Sequence, residues 1–304
     1  MAKPVDLLLI TWNRREYVER MLPTVLNDPS DFQLYCWDNG STDGTADLIR
    51  SLDDPRIVKR HFNQENVGQY EPCMWFFETS TSDVLGKIDD DILLPAGWIE
   101  QIAPMIRKEP KFGMLGCWIF MPEDWDESVA KHNIVELSGE RVFRCISIQG
   151  QSFLARKEYL LRHHHQLESH GLPIDRVGMS LDGLVNGYPL PLLYAHNMDD
   201  PRSPMNVKTK SGSLGSDSAL TARKFGFTSA EAYAEWIMAD ARHRQEIPFE
   251  QNLKREKFLR DKTFMGRVKR KLVRLFAQKW NRQMDSTSVR SMINLRSASS
   301  GLDT

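Results

Sequence analysis

No stretch of the 304-residue chain approaches the roughly 18 consecutive apolar residues that suggest a bilayer-spanning helix, which excludes a transmembrane span. Cysteine is scarce. The four, Cys36, Cys73, Cys117 and Cys145, are scattered through apolar segments without CxxC spacing. That pattern argues against a zinc site or a disulfide framework and reads as buried free thiols in a reducing compartment. A GxxxxGK[ST] sequence is missing, and with it the P-loop enzymes. Met1-Ala2-Lys3-Pro4 runs straight into an apolar strand, leaving no room for a signal peptide, so the expected location is cytoplasmic. Net charge is lacking too: 40 Lys and Arg stand against 41 Asp and Glu. That balance conceals an asymmetry, with about −11 over residues 1–253 and about +10 over 254–282 by counting side chains.

Strand-like and helix-like segments alternate through the N-terminal part. Val5 to Thr11 is a short apolar run of the kind buried in a parallel sheet, and Tyr17, Val18, Met21, Leu22 and Val25 follow at helical spacing. Phe32 to Trp37 predicts a second strand ending at the polar turn that starts with Asp38, before a helix carrying Ala46, Leu48 and Ile49. Arg56 to Phe62 predicts a third strand, Trp75 to Phe77 a helix, and Val84 to Ile88 a fourth strand. The alternation implies right-handed crossovers and an α/β doubly wound sheet. Ligands on such sheets sit at the carboxyl ends of the strands, where Thr11, Asp38 and Asp89-Asp90-Asp91 all fall. Three adjacent carboxylates beside the apolar Ile92-Leu93-Leu94 repel one another and call for a counter-charge. A divalent cation supplies it, and hard carboxylate oxygens suit Mg²⁺ or Mn²⁺. The alternative is an exposed acidic turn ahead of a helix opened by Pro95.

Four ordered pieces decide between these readings. Thr11-Trp12-Asn13-Arg14, Asp38-Asn39-Gly40-Ser41-Thr42-Asp43-Gly44-Thr45, Asn66-Val67-Gly68 and Asp89-Asp90-Asp91 together resemble the GT-A glycosyltransferases of family 2. The resemblance implies a Rossmann-like, mostly parallel sheet flanked by helices, and a nucleoside diphosphate sugar as donor. It places Thr11, Asn13 and Arg14 in the nucleotide pocket and Asp38 on the base. It puts Asn66 and Gly68 near the ribose and phosphates, with Asp90 among the donor-binding residues. Asp89 and Asp91 form the implied DxD pair, Asp91 the more direct ligand of Mn²⁺ or Mg²⁺ and Asp89 nearer the sugar or ribose. Plain structural roles stand beside these: Asp38 and Asp43 also suit a turn and a helix cap, and Arg14 an ordinary solvated helix position.

The resemblance weakens after about residue 120. Phe112 to Phe120 predicts a fifth strand, and Glu123 to Glu127 an acidic loop that faces an acceptor or solvent. Gly150 to Arg156 predicts the strand before the acceptor region, with a helix from Lys157. Family members carry an acidic residue that opens a helix ending in a Gly-aromatic pair. Asp182 fits it, with Gly187-Tyr188 closing the helix and Leu190 to Ala195 as the last strand, and Asp175 is its rival. An inverting transfer is a single displacement, so a base must take the proton of the attacking hydroxyl. His196 follows that strand, at a place where some GT-A enzymes add a metal ligand; a single histidine is also commonly structural. His163-His164-His165 reads as solvated surface, since neighbours on a helix point apart.

The expected organisation is a GT-A catalytic domain over 1–205, divided into a nucleotide-sugar half (1–120) and an acceptor half (121–205). A lid loop and helical extension (206–253), a basic amphipathic helix (254–283) and a disordered tail (284–304) complete it. The basic helix suits an anionic membrane surface at the inner face, a nucleic acid, a homo-oligomer contact, or packing on the acidic catalytic domain. Membrane helices and the Gln-x-x-Arg-Trp motif of the family's processive synthases are both missing, which favours single addition to a hydroxyl acceptor. The other two readings are a transferase acting on modified nucleic acid and a non-catalytic scaffold on a degenerate fold.

Overall fold

The computed structural model describes residues 3–164, 174–206 and 225–261, with the isolated positions 222, 263 and 271. The first half alternates strand and helix: β1 (Val5–Thr11), α1 (Arg15–Leu26), β2 (Phe32–Asp38), α2 (Thr45–Ser51), β3 (Ile57–Phe62), α3 (Tyr70–Thr79) and β4 (Val84–Asp89). A two-residue strand β5 (Ile92–Leu93), helix α4 (Trp98–Lys108) and β6 (Phe112–Gly116) follow. Then come α5 (Glu127–Ala130), the hairpin β7 (Ile134–Leu137) and β8 (Glu140–Cys145), and β9 (Ser152–Arg156). Helices α6 (Lys157–Arg162) and α7 (Arg176–Leu181) precede β10 (Val185–Pro189) and β11 (His196–Asn197). Helices α8 (Ala230–Glu246) and α9 (Phe249–Arg260) close the described chain.

Nine strands form one sheet in the order β3-β2-β1-β4-β9-β6-β10-β8-β7, and β11 pairs with β5 in a small second sheet. The four strands of the first half are mutually parallel, while β9 runs antiparallel between β4 and β6. Near-continuous apolar runs explain the central strands, since both faces are covered: Leu7, Leu8 and Leu9 are all fully buried. Helices pack through one stripe each, as with Tyr17, Val18, Met21, Leu22 and Val25 of α1. The register sets Thr11 beside Asp38 and Ile10 beside Asp89, so the ends of β1, β2 and β4 share one edge of the sheet.

The second half departs from its sequence reading in several places. The fifth strand stops at Gly116, and Trp118 continues only as a single bridge to Tyr194. Asp182 does not open a helix. It is the residue after α7, and Asp175 opens that helix by accepting a hydrogen bond from the Gly178 N–H at 2.8 Å. Gly187-Tyr188 lies inside β10 instead of ending a helix, and Leu190 to Ala195 is not a strand. Close strand approach explains the glycine: a Cβ at Gly187 would sit 2.3 Å from the Phe143 carbonyl oxygen across the β8 pairing. Pro191, lacking an N–H, cannot continue the ladder. His163 is buried, not solvated, because the chain turns in after α6 and pairs His164 with Ile174 under α7; His165 lies outside the described residues. The Glu123–Glu127 loop is held by protein. Asp124 is clasped by Arg202, and Trp125 packs edge-on against Trp118 and Phe143.

The four cysteines are buried free thiols, and burial pushes each up to about 12, which leaves them inert as nucleophiles. Among the described residues no helix is long and apolar enough to cross a membrane. Helix α9 begins at Phe249 and so runs across position 254; residues 264–270 and 272–304, with most of the basic stretch, lie outside the described residues.

Candidate active site

Parallel strand ends leave backbone polar groups that loops must satisfy, and here the loops after β1 and β2 satisfy each other. Asp38 is buried and accepts from the Thr11 hydroxyl at 3.0 Å, the Ser41 N–H at 2.8 Å and the Ser41 hydroxyl at 2.6 Å. Asn13, at φ 50°, accepts the Thr42 N–H at 2.7 Å, and its own N–H donates to the Ser41 hydroxyl at 2.9 Å. Asp43 accepts from the first N–H of α1, on Arg15, at 2.9 Å and from the Thr45 N–H at 3.0 Å. Its capping role is therefore filled. Asn66 accepts the Gly68 N–H at 2.9 Å, and the Gly68 carbonyl accepts from the Asn39 side chain at 2.9 Å. The structure thus gathers Thr11, Asn13, Asp38, Asn66 and Gly68 into one loop network at the sheet edge.

The acidic triplet carries the strongest electrostatics. Arg14, with its side chain 10% exposed, reaches from the start of α1 into Asp90 and Asp91, contacting the Asp90 carboxylate at 3.3 Å and the Asp91 carboxylate more closely. Asp199, in the turn after β11, lies 3.9 Å from the same guanidinium. Burial opposes the charge of Arg14, but Asp90, Asp91 and Asp199 outweigh it and raise its pKa well above the usual value. The solvated helix position is excluded for Arg14. One oxygen of Asp91, Oδ1, is buried without any hydrogen-bond partner. A carboxylate oxygen left so in a low-dielectric site is costly unless a cation or donor meets it.

Asp89 ends β4 with a quarter of its side chain exposed. Period-two alternation places Lys87 on the same face, and its buried ammonium contacts the Asp89 carboxylate. Burial raises the Asp89 carboxyl, Lys87 pulls it down and Asp91 adds to the rise. Because its folded value lies above the unfolded one, the contribution of Asp89 to stability falls as pH climbs from the unfolded to the folded value. Replacing Lys87 by Met removes the main opposing charge and raises Asp89 further. The expected outcome is that the Asp89-linked loss of stability moves to higher pH, read by melting curves from acid to neutral pH; an unmoved profile would show that Lys87 does not govern Asp89.

His196 stands on β11 beside β5, with Nε2 2.6 Å from the Ser203 hydroxyl. Burial pushes its imidazole below the ordinary value, against the pull of Asp200, so it is neutral near pH 7. Among the described residues no three His, Cys, Asp or Glu side chains converge as a ready metal cage, so the set Asp89, Asp91 and His196 is not assembled. The β5–β11 pairing brings the His196 segment beside the triplet's backbone, but the ring nitrogen Nε2 meets Ser203 instead. Arg202 is clamped between Asp124 and Asp200 at 2.6–3.0 Å. Residues 207–221 of the expected lid loop lie outside the described residues.

The second half of the fold is tied to this centre by the segment between β8 and β9. Gln151 accepts the Asp89 N–H at 2.8 Å through its carbonyl, and the Ile148 carbonyl takes a bond from Arg176 of α7. Burial brings Arg176 down to about 10 against the opposing pull of Tyr188, Asp240 and Asp89. Asp175, one residue earlier, is paired with Arg260 at the end of α9, 2.9 Å from its Oδ1. Asp182, at the other end of α7, is 54% exposed and faces the His163 ring at 3.3 Å. Sequence reasoning missed Lys87, Asp199, Arg176 and Tyr233 of α8, a buried phenol raised first by burial and then by Asp199 and Asp91. Only Lys87 carried a usable signal, its position two residues before Asp89 on a strand.

With this geometry in hand, comparison with known proteins gives the family. The sequence profile of "Glycosyl transferase family 2" matches residues 6–166, just over half of the chain. The chain belongs to glycosyl transferase family 2. It is a glycosyltransferase of the GT-A fold, as the sequence motifs implied. Among solved structures it is similar to the mannosyltransferase PcManGT from Pyrobaculum calidifontis in complex with GDP-Man and Mn²⁺, at 14% identity and a TM-score of 0.53, covering 98% of this chain and 85% of that one. It is also similar to residues 1–349 of S. aureus TarS, at 12% identity and a TM-score of 0.51, covering 78% and 80%. Comparison with curated protein sequences finds no significant match.

Proposed function

We propose that the protein moves one sugar from a nucleoside diphosphate sugar to a hydroxyl acceptor, with inversion, using a divalent cation, Mn²⁺ or Mg²⁺, held at Asp91 with Asp89 beside it. The observation that carries this reading is the buried, unpartnered Oδ1 of Asp91 in a cluster of Asp90, Asp91 and Asp199. Such metals are commonly held by one or two carboxylates together with substrate phosphates, so a preformed cage is not needed. The similar mannosyltransferase, solved with GDP-Man and Mn²⁺, lends support. When bound, the cation neutralises the departing diphosphate as a Lewis acid.

The chain's own residues do the rest. The network of Thr11, Asn13, Asp38, Asn66 and Gly68 shapes the nucleotide pocket. Arg14 keeps Asp90 and Asp91 compensated before the donor arrives and offers its fork of N–H groups to phosphate oxygens afterwards. For the base we assign Asp175 in place of Asp182. Asp175 opens α7, next to an Arg176 that feels Asp89, whereas Asp182 lies seven residues on, about 10 Å along the axis, and points at His163. The expected result is a loss of roughly 10²–10⁴-fold in kcat for Asp175→Asn and near wild-type turnover for Asp182→Asn. The reverse pattern would restore Asp182.

The reading is tested by offering a panel of nucleoside diphosphate sugars with and without Mn²⁺ and following release of the nucleoside diphosphate. Release from one donor, only with metal, supports it. A protein that binds and cleaves no donor under either condition is a scaffold on this fold.

A further inference from the structure

A cavity of about 300 Å³ lies between the end of β8, helix α7 and the two C-terminal helices. Its lining includes Arg144, Ser147, Val177, Arg244, Asn252 and Arg255. Two acids, Asp240 and Glu256, also face it; Arg244 matches Asp240, while among the described residues Glu256 has only the more distant side of an Arg260 that Asp175 holds. Asp240 accepts from Arg244 at 3.1 Å and from the Gln149 side chain at 2.7 Å, and Glu256 lies 3.9 Å from Arg260. Arg244 is committed as wall, since it also donates to the Ser147 carbonyl at 2.7 Å.

Arg144 is different. Its guanidinium lies flat over the Phe249 ring at 3.6 Å and donates through one end to Glu250 at 3.1 Å, while its Nε is buried with no partner. Arg255, exposed at the rim, has no acidic partner among the described residues. A buried N–H without an acceptor and an unmatched guanidinium at the mouth of one small cavity fit a ligand rich in acceptor oxygens. Arginine forks match phosphate in particular.

Position gives this cavity a role. Ser147 in its wall is four residues from Gln151, whose carbonyl holds the Asp89 backbone, a span of at most about 14 Å of chain. Val177, also in the wall, follows Asp175 and Arg176 on α7. We infer that this cavity is an acceptor subsite that takes a phosphate group carried by the acceptor, seating it beside Arg144 and Arg255 so that a hydroxyl can reach Asp175. This rests on the transferase reading and adds the class of acceptor to it.

The test uses the full chain and inorganic phosphate as probe, titrated calorimetrically in EDTA so that no metal-bound diphosphate site contributes. The wild type is expected to bind one phosphate, and Arg144→Gln and Arg255→Gln to bind it about tenfold more weakly or not at all. Arg255 is exposed, so its variant remains decisive should Arg144→Gln fail to fold. Absence of phosphate binding by the wild type, or binding by both arginine variants as tight as that of the wild type, overturns the subsite. A second arm offers sugar phosphates and their dephosphorylated counterparts as acceptors with whichever donor the wild type cleaves. Product with the phosphorylated set alone, competed by free phosphate, is the expected result; equal use of both sets means that any bound phosphate is not the acceptor's and overturns the assignment. Donor cleavage by the wild type reports separately on the transferase reading.

Discussion

Asp91→Ala is expected to lower metal-dependent transfer by on the order of 10³-fold while leaving the fold in place. The expectation follows from two features of one side chain. Asp91 brings a buried carboxylate oxygen that no protein group meets, and its neighbours Asp90 and Asp199 are already engaged with Arg14. On the proposed reading, removing Asp91 takes away the cation's best ligand without stripping Arg14 of all partners. The check is kcat/KM against Mn²⁺ concentration, with a melting curve on the same preparation. A variant that melts like wild type but keeps its activity would move the metal away from Asp91. A variant that unfolds would show that the Asp91–Arg14 pair is structural, and Asp91→Asn, which keeps the shape, would then decide.

The second large effect concerns the opposite charge. Arg14→Met leaves Asp90, Asp91 and Asp199 together, mostly buried, with their shared cation gone. Breaking a buried ion pair from one side typically costs about 3–5 kcal/mol, because the remaining charge is uncompensated. The melting temperature is expected to fall by many degrees, and Mn²⁺ is expected to recover much of that loss, stabilising the variant more than the wild type. Differential rescue is the informative readout. In the wild type an incoming cation competes with Arg14 for the carboxylates, whereas in the variant it replaces the missing charge. Equal stabilisation of both proteins by Mn²⁺ would mean that Arg14 and the metal do not share ligands.

The first half of the fold was legible because its signals are local. Val5 to Thr11 and Val84 to Asp89 are apolar runs long enough for buried strands, and the loops that end them contain the residues of the site. Chain order and strand direction then bring Thr11, Asp38 and Asp89 to one edge without further information. The second half of the fold depends on contacts between distant segments, which no window of sequence reports. The placement of α7 is set by Asp175 capping Gly178 and by Asn186 reaching the Arg176 carbonyl at 2.7 Å, and the sequence reading opened that helix seven residues, about two turns, too late, at Asp182. The aromatic Tyr188 looked like a helix terminus, yet it is a strand residue packed against Trp118 and Phe143. Charge partners were hidden for the same reason: Arg14 and Asp199 are 185 positions apart in the chain.

The most direct measurement is a crystal structure of the protein grown with a nucleoside diphosphate and Mn²⁺, with the metal located by its anomalous signal. The account predicts one manganese bound to Asp91 through Oδ1 and to the diphosphate, the nucleoside against the Thr11–Asp38 loop network, and Arg14 turned from the carboxylates towards phosphate. Manganese found away from the Asp89–Asp91 turn, or a nucleotide seated elsewhere with Arg14 still inside the acidic cluster, would contradict it.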